Sequence, residues 1–168
     1  MSILRTAILI LIVLAAFAFA LYTGALTSTR APGIIFTSLK GEKISTSDLR
    51  GRVVLVNFWA TDCATCVKEM PRMIETYMKH REQGFELIAV AMRYDPPNYV
   101  LNYTEKNALP FKVALDPMGE LAKAFGDVKL TPTTVLIDKR GNIVTRILGE
   151  PDFAKLDALI AEKLAEPA

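Results

Sequence analysis

Apolar residues occur along this chain in three kinds of run: one long unbroken stretch, several short β-branched stretches, and stretches in which they recur every three or four positions. The long stretch is AILILIVLAAFAFALYTGAL, residues 7–26, twenty residues without a charge. At about 1.5 Å per residue, a helix of that length crosses the roughly 30 Å of hydrocarbon in a bilayer. Residues 7–20 are apolar all round, without the polar face that a soluble helix keeps. Arg5 precedes the stretch, so the positive-inside tendency leaves residues 1–6 in the cytoplasm and sends the rest outward. Ala18-Phe19-Ala20 also fits a signal-peptide cleavage site, but the run exceeds the usual h-region of about 7 to 15 residues, which favours a retained anchor. The polar, Pro- and Gly-containing residues 27–33 are then a linker, and residues 34–168 form one domain of ordinary size.

Within that domain, IIFTSLKGEKISTSDLRG reads as two short strands around a Lys40-Gly41 turn, then a helical turn begun by Ser47 or Asp48 and closed by Gly51. RVVLVNFWA is apolar enough to be buried on both faces of a helix-covered sheet. A helix follows from Ala64 to about Gln83, with Val67, Met70, Ile74, Tyr77 and Met78 on its inner side, a kink at Pro71 and Gly84 as C-cap. FELIAVAMR is the next strand, PPNYVLNYTEKN a proline-started helix, FKVAL a short strand, and DPMGELAKAFG a helix ended by Gly126. TTVLID and NIVTRIL make a hairpin through residues 139–142, and Asp152 caps a last helix through Leu164. Strands alternating with helices after an N-terminal strand pair predict an α/β fold with a mixed central sheet flanked by helices.

A formal charge of +2 with acids and bases interspersed gives no electrostatic footprint for nucleic acid. The chemistry gathers instead in WATDCATCVKEMP, which holds both cysteines. At a helix start, unpaired N–H groups and the helix dipole stabilise a thiolate, so Cys63 is the expected nucleophile. Cys66, one turn on, is placed to resolve the mixed disulfide that forms on Cys63. A structural staple closing so short a loop would constrain the unfolded chain little. A structural zinc site wants four ligands, and His80, expected to be solvated late on the same helix, is too far from Cys66 to share an ion. A Cu(I) carrier using the two thiolates, with Met70 and Met73 assisting, stays open. Arg93, Tyr94 and Asp95, at the end of a strand, line a partner groove or merely form a turn.

Taken with DPMGELAKAFG, TPTTVLIDKRGNIV and LKGEKISTSDLRGRVVLVNFWA, the cysteine segment resembles the membrane-anchored, thioredoxin-like thiol-disulfide oxidoreductases of the TlpA/ResA type, over about residues 34–164. The resemblance implies a thioredoxin-like fold whose active edge is built from Trp59, Cys63 and Cys66, with Thr131-Pro132, cis in that family, facing the cysteines. It implies an extra strand and helix in mid-domain, for which residues 96–115 are the candidate. It also implies no bound cofactor, protein disulfides as substrates, and a membrane thiol-electron carrier as reductant. A peroxiredoxin would need a proline ahead of its cysteine that NFWATDC lacks.

Departures from that family sharpen the expectation. Asp62 stands where the family usually has tryptophan, and a neighbouring negative charge disfavours a thiolate. Asn57 stands where thioredoxin has a buried aspartate, so acid-base work passes to Glu69, Asp62 or water; Glu69, three residues after Cys66, is within reach of the resolving thiol or is an ordinary exposed carboxylate. Ala64-Thr65 between the cysteines supplies no cation. Stabilising the thiolate makes a disulfide more oxidising, and these features act the other way, so the expected role is reduction of disulfides outside the cytoplasm, in cytochrome c maturation or copper-site assembly. The alternative function is Cu(I) delivery without redox turnover.

Overall fold

The computed structural model describes residues 30–168 and, ahead of them, Ile10. The predicted anchor at 7–26, Ile10 apart, and residues 27–29 lie outside the described residues. Among the described residues no helix is long and apolar enough to cross a membrane.

Five strands make the central sheet, in the order β5-β4-β3-β6-β7. They are β3 (Val53–Trp59), β4 (Phe85–Ala91), β5 (Lys112–Leu115), β6 (Thr133–Ile137) and β7 (Ile143–Leu148). β3, β4 and β5 run parallel, while β6 is antiparallel to β3 and β7 to β6. Every residue of β3 and β4 is buried, as strands covered on both faces must be. A separate hairpin, β1 (Ile35–Thr37) and β2 (Lys43–Ser45), extends the edge: Ser38 bridges Ala114, and the Leu39 N–H donates to the Val113 carbonyl at 2.9 Å.

The period of two along each strand divides the core. Val53, Leu55 and Trp59 of β3 face helices α1 (Ala64–His80), α2 (Pro97–Lys106) and α4 (Phe153–Ala165), packing with Met70, Met73, Val100, Leu156 and Ile160. Val54, Val56 and Phe58 face the hairpin and the short helix α3 (Glu120–Ala124), packing with Phe36, Leu121 and Phe125. Asn57 therefore shares the face of Leu55 and Trp59 and points toward α1.

Three expectations are corrected. The buried stripe of α1 is Cys66, Glu69, Met70, Met73, Thr76 and His80, whereas Val67 and Met78 are exposed. Three polar residues occupy the inner face, so counting apolar positions alone rotated it. His80 is buried rather than solvated, its ring edge-on to Phe85. The helical stretch does run to Gln83, with Arg81–Gln83 as a final 3₁₀ turn, and Gly84, at φ 92°, caps it as expected. Residues 46–51 form hydrogen-bonded turns ending at Gly51, whereas α3 spans only five residues, because Gly119 adopts φ 73° immediately before it.

Candidate active site

Parallel pairing puts the C-terminal ends of β3, β4 and β5 at one edge of the sheet, and antiparallel pairing brings the start of β6 to the same edge, with Phe58 opposite Thr133. Loops leaving such an edge, next to a switch in strand direction, are where open α/β sheets place their chemistry. The loop from Trp59 leads directly into α1 and carries Asp62, Cys63 and Cys66.

Cys63 is the N-cap of α1, in extended backbone, and its sulfur accepts the Cys66 N–H at 3.2 Å. The capping role that serine or aspartate usually fills is thus held by a sulfur at the positive end of the dipole. Cys63 and Cys66 form a disulfide with Cα atoms 5.2 Å apart, within the usual span of such bonds. Their exposure differs: Cys63 is half-buried, whereas Cys66 is fully buried against Trp59 and Met70 in the core. Only one sulfur is open to a partner.

One turn beyond Cys66, Glu69 is also buried, contrary to an ordinary exposed carboxylate. Its Oε1 accepts from Asn57 Nδ2 at 3.1 Å, and the same amide group donates to Thr134 Oγ1 at 3.1 Å. Oε2 has no protein partner among the described residues. Burial pushes the Glu69 carboxyl up to about 7, against the lowering effect of the Asn57 hydrogen bond and with a small contribution from Glu150. Near neutral pH this carboxyl exists in both protonation states, which suits a group that takes and returns a proton. Asn57 thus holds the carboxylate without adding a second charge.

The remaining sequence-derived residues lie along the same sheet edge. Trp59 is fully buried, its ring 5.2 Å from that of Tyr103 on α2, so the inserted helix closes over it. Asp62 is exposed at the surface of the loop. The Thr131-Pro132 bond is cis, at the entrance to β6. Asp95 was legible only as a groove residue or turn former, and its position is more specific. Its buried carboxylate accepts the Thr61 N–H at 2.7 Å and the Thr61 hydroxyl at 2.6 Å, clamping the loop two residues before Cys63. An aspartate closing a strand that ends beside the cysteine loop is the signal that could have found it. Among the described residues no three of His, Cys, Asp and Glu cluster as metal ligands, and His80 lies at the far end of α1, about 20 Å along its axis.

Sequence and structure comparisons agree with this geometry. The chain matches the Redoxin family over residues 26–160. It is 39% identical to the thiol-disulfide oxidoreductase ResA of Bacillus thuringiensis subsp. konkukian, covering 89% of this chain and 90% of that protein. Identity to the ResA of Geobacillus kaustophilus is 38%, covering 88% and 87%. A thiol:disulfide interchange protein of the thioredoxin family from Chlorobium tepidum superposes with a TM-score of 0.75 at 28% identity, covering 82% of this chain and 97% of that one. The chain therefore belongs to the Redoxin family, as a thioredoxin-type thiol-disulfide oxidoreductase related to ResA.

Proposed function

We propose that this oxidoreductase works as a reductase of protein disulfides outside the cytoplasm, tethered to the membrane by residues 7–26 and kept reduced by a membrane thiol-electron carrier. The thiolate of Cys63 attacks one sulfur of a substrate disulfide; the other substrate sulfur leaves as a thiolate and takes a proton. Cys66 then gives its proton to the Glu69 carboxylate and attacks Cys63, which releases the second substrate thiol and closes the Cys63–Cys66 disulfide. Two electrons pass to the substrate, and a dithiol on the carrier returns them by the same exchange in reverse. Substrates of the fitting class are paired cysteines that must be reduced before a ligand is attached, such as those of apocytochrome c or a copper site.

The observation that carries this reading is the asymmetry of the pair: an open Cys63 at the helix tip and a core-buried Cys66 one turn from a carboxyl that titrates near 7. The absence of a cation in Ala64-Thr65 and the exposed carboxylate of Asp62 supply support for reduction over oxidation.

Trapping tests it. In the full chain carrying Cys66→Ala, Cys63 cannot be resolved, so an envelope protein with paired cysteines accumulates as a disulfide-linked adduct. The unmodified chain reduces insulin disulfides in a coupled assay. Failure to reduce insulin together with retention of Cu(I) against a chelator would overturn the reading in favour of metal delivery.

A further inference from the structure

At the sheet edge that also carries the cysteine loop lies a cleft of about 420 Å³ between the segment after β4, the loop after β5 and residues 127–129. We propose that it is a specificity subsite for the protein substrate, which takes an acidic side chain from the extended segment that carries the target cysteine. The inference rests on the thiol-disulfide reading and adds to it what the substrate must look like.

Continuity with the reaction centre is the first argument. Arg93, Tyr94 and Asp95 form a strap between the two halves of the active edge. Asp95 holds Thr61, two residues before Cys63, and the Tyr94 hydroxyl lies 3.2 Å from Thr131 Oγ1, next to the cis proline. A polypeptide presented to Cys63 along Thr131 passes the mouth of the cleft.

Charge is the second. Of the two carboxylates in the cleft, Asp116 is buried with its oxygens taken by the N–H groups of Leu121 and Ala122, at 3.1 and 2.8 Å. Asp127 is paired with Lys129 at 3.0 Å. Arg93 and Lys123 are exposed and, among the described residues, have no carboxylate within ion-pair distance. The arginine stem passes close to Gly119, where a Cβ would stand 3.2 Å from Arg93 Cδ. Two uncommitted cations over a floor that includes Met92 and Val128 fit the apolar stem and charged head of glutamate. The rim is apolar and open, with Tyr94 52% and Met118 74% exposed, as a surface that closes on a partner is.

The test uses the reduced full chain and synthetic octapeptides of Ser, Gly and Ala, each with one cysteine as its mixed disulfide with thionitrobenzoate. A single Glu or Gln is placed in turn at each position from three before to three after the cysteine. Release of the yellow thiol gives the second-order rate constant. At one position Glu is expected to react about tenfold faster than Gln in low salt, with the ratio falling toward one in 1 M NaCl. The double variant Arg93→Glu with Lys123→Glu is expected to prefer Lys to Glu at that position, a gain that loss of folding cannot imitate. Reduction of all peptides with Glu and Gln within twofold at every position overturns the subsite and leaves the oxidoreductase reading standing. An unreversed Glu preference in the double variant also overturns it. Reduction of no peptide at all overturns both.

Discussion

The two ends of helix α1 each bury a titratable side chain, in opposite electrostatic settings. At the N-terminal end Glu69 shares the core with Cys66, accepts one hydrogen bond from Asn57, and is pushed up to about 7. At the C-terminal end His80 lies under Asp157 of α4, whose carboxylate accepts from Thr76 and Lys79 at 2.9 Å each. Burial pushes His80 below its ordinary value, against the Asp157 charge, which acts to raise it. Asp157 itself is held below the usual carboxylate range: burial opposes this, and the hydrogen bonds from Lys79 and Thr76 outweigh it. One end holds a carboxyl whose charge is disfavoured by burial; the other uses a committed carboxylate to fasten α1 to α4. Their linkage signs are opposite. Glu69, raised in the fold, contributes stability at low pH that is lost as pH rises through about 7. His80, lowered in the fold, contributes stability above its ordinary 6.5 that is lost as pH falls below it.

The largest test of this contrast is Glu69→Gln. A carboxyl moved from 4.5 to about 7 is linked to about 3 kcal/mol, so the oxidised wild type should lose roughly that much stability between pH 4 and pH 8 through this group, and the variant should not. The same variant should resolve mixed disulfides about 100-fold more slowly at pH 7, measured by quenched flow. Equal pH profiles and equal rates would remove the distinction between the two ends. Next comes Asp95→Ala, which frees the N–H and hydroxyl of Thr61 and should lower stability by about 2 kcal/mol in urea unfolding, while slowing reaction at Cys63. Asp157→Asn weakens the fastening at the other end, by about 1 kcal/mol, and should leave the rate of insulin reduction unchanged; a slower rate would show that the two ends are not independent. The smallest effect is expected from Asp62→Asn. Its exposed charge is screened by solvent, so the Cys63 thiolate midpoint, followed by absorbance at 240 nm, should move downward by about half a pH unit or less.

Strand identity was open to reading because β3 and β4 are β-branched runs with no polar interruption except Asn57 and Glu86. The cysteine pair was equally plain, since its spacing alone puts both residues on the first turn of a helix. Glu69 could be singled out by its spacing from Cys66, but not its burial, because a charged residue on an amphipathic helix ordinarily faces water. Its contact with Asn57 joins positions twelve residues apart through the packing of α1 on β3, and nothing local encodes that. His80 was misplaced for the same reason. The clamp between Thr61 and Asp95 spans thirty-four residues and depends on β3 and β4 ending side by side, so only the register of the sheet reveals it.

Trp59 is the chain's single tryptophan, and it sits without solvent contact in the same cluster as both cysteine sulfurs, under the ring of Tyr103. Disulfides quench indole emission at short range, and thiols do so far less. Opening the Cys63–Cys66 bond should therefore brighten this one fluorophore, a label-free gauge of how many copies are charged with electrons.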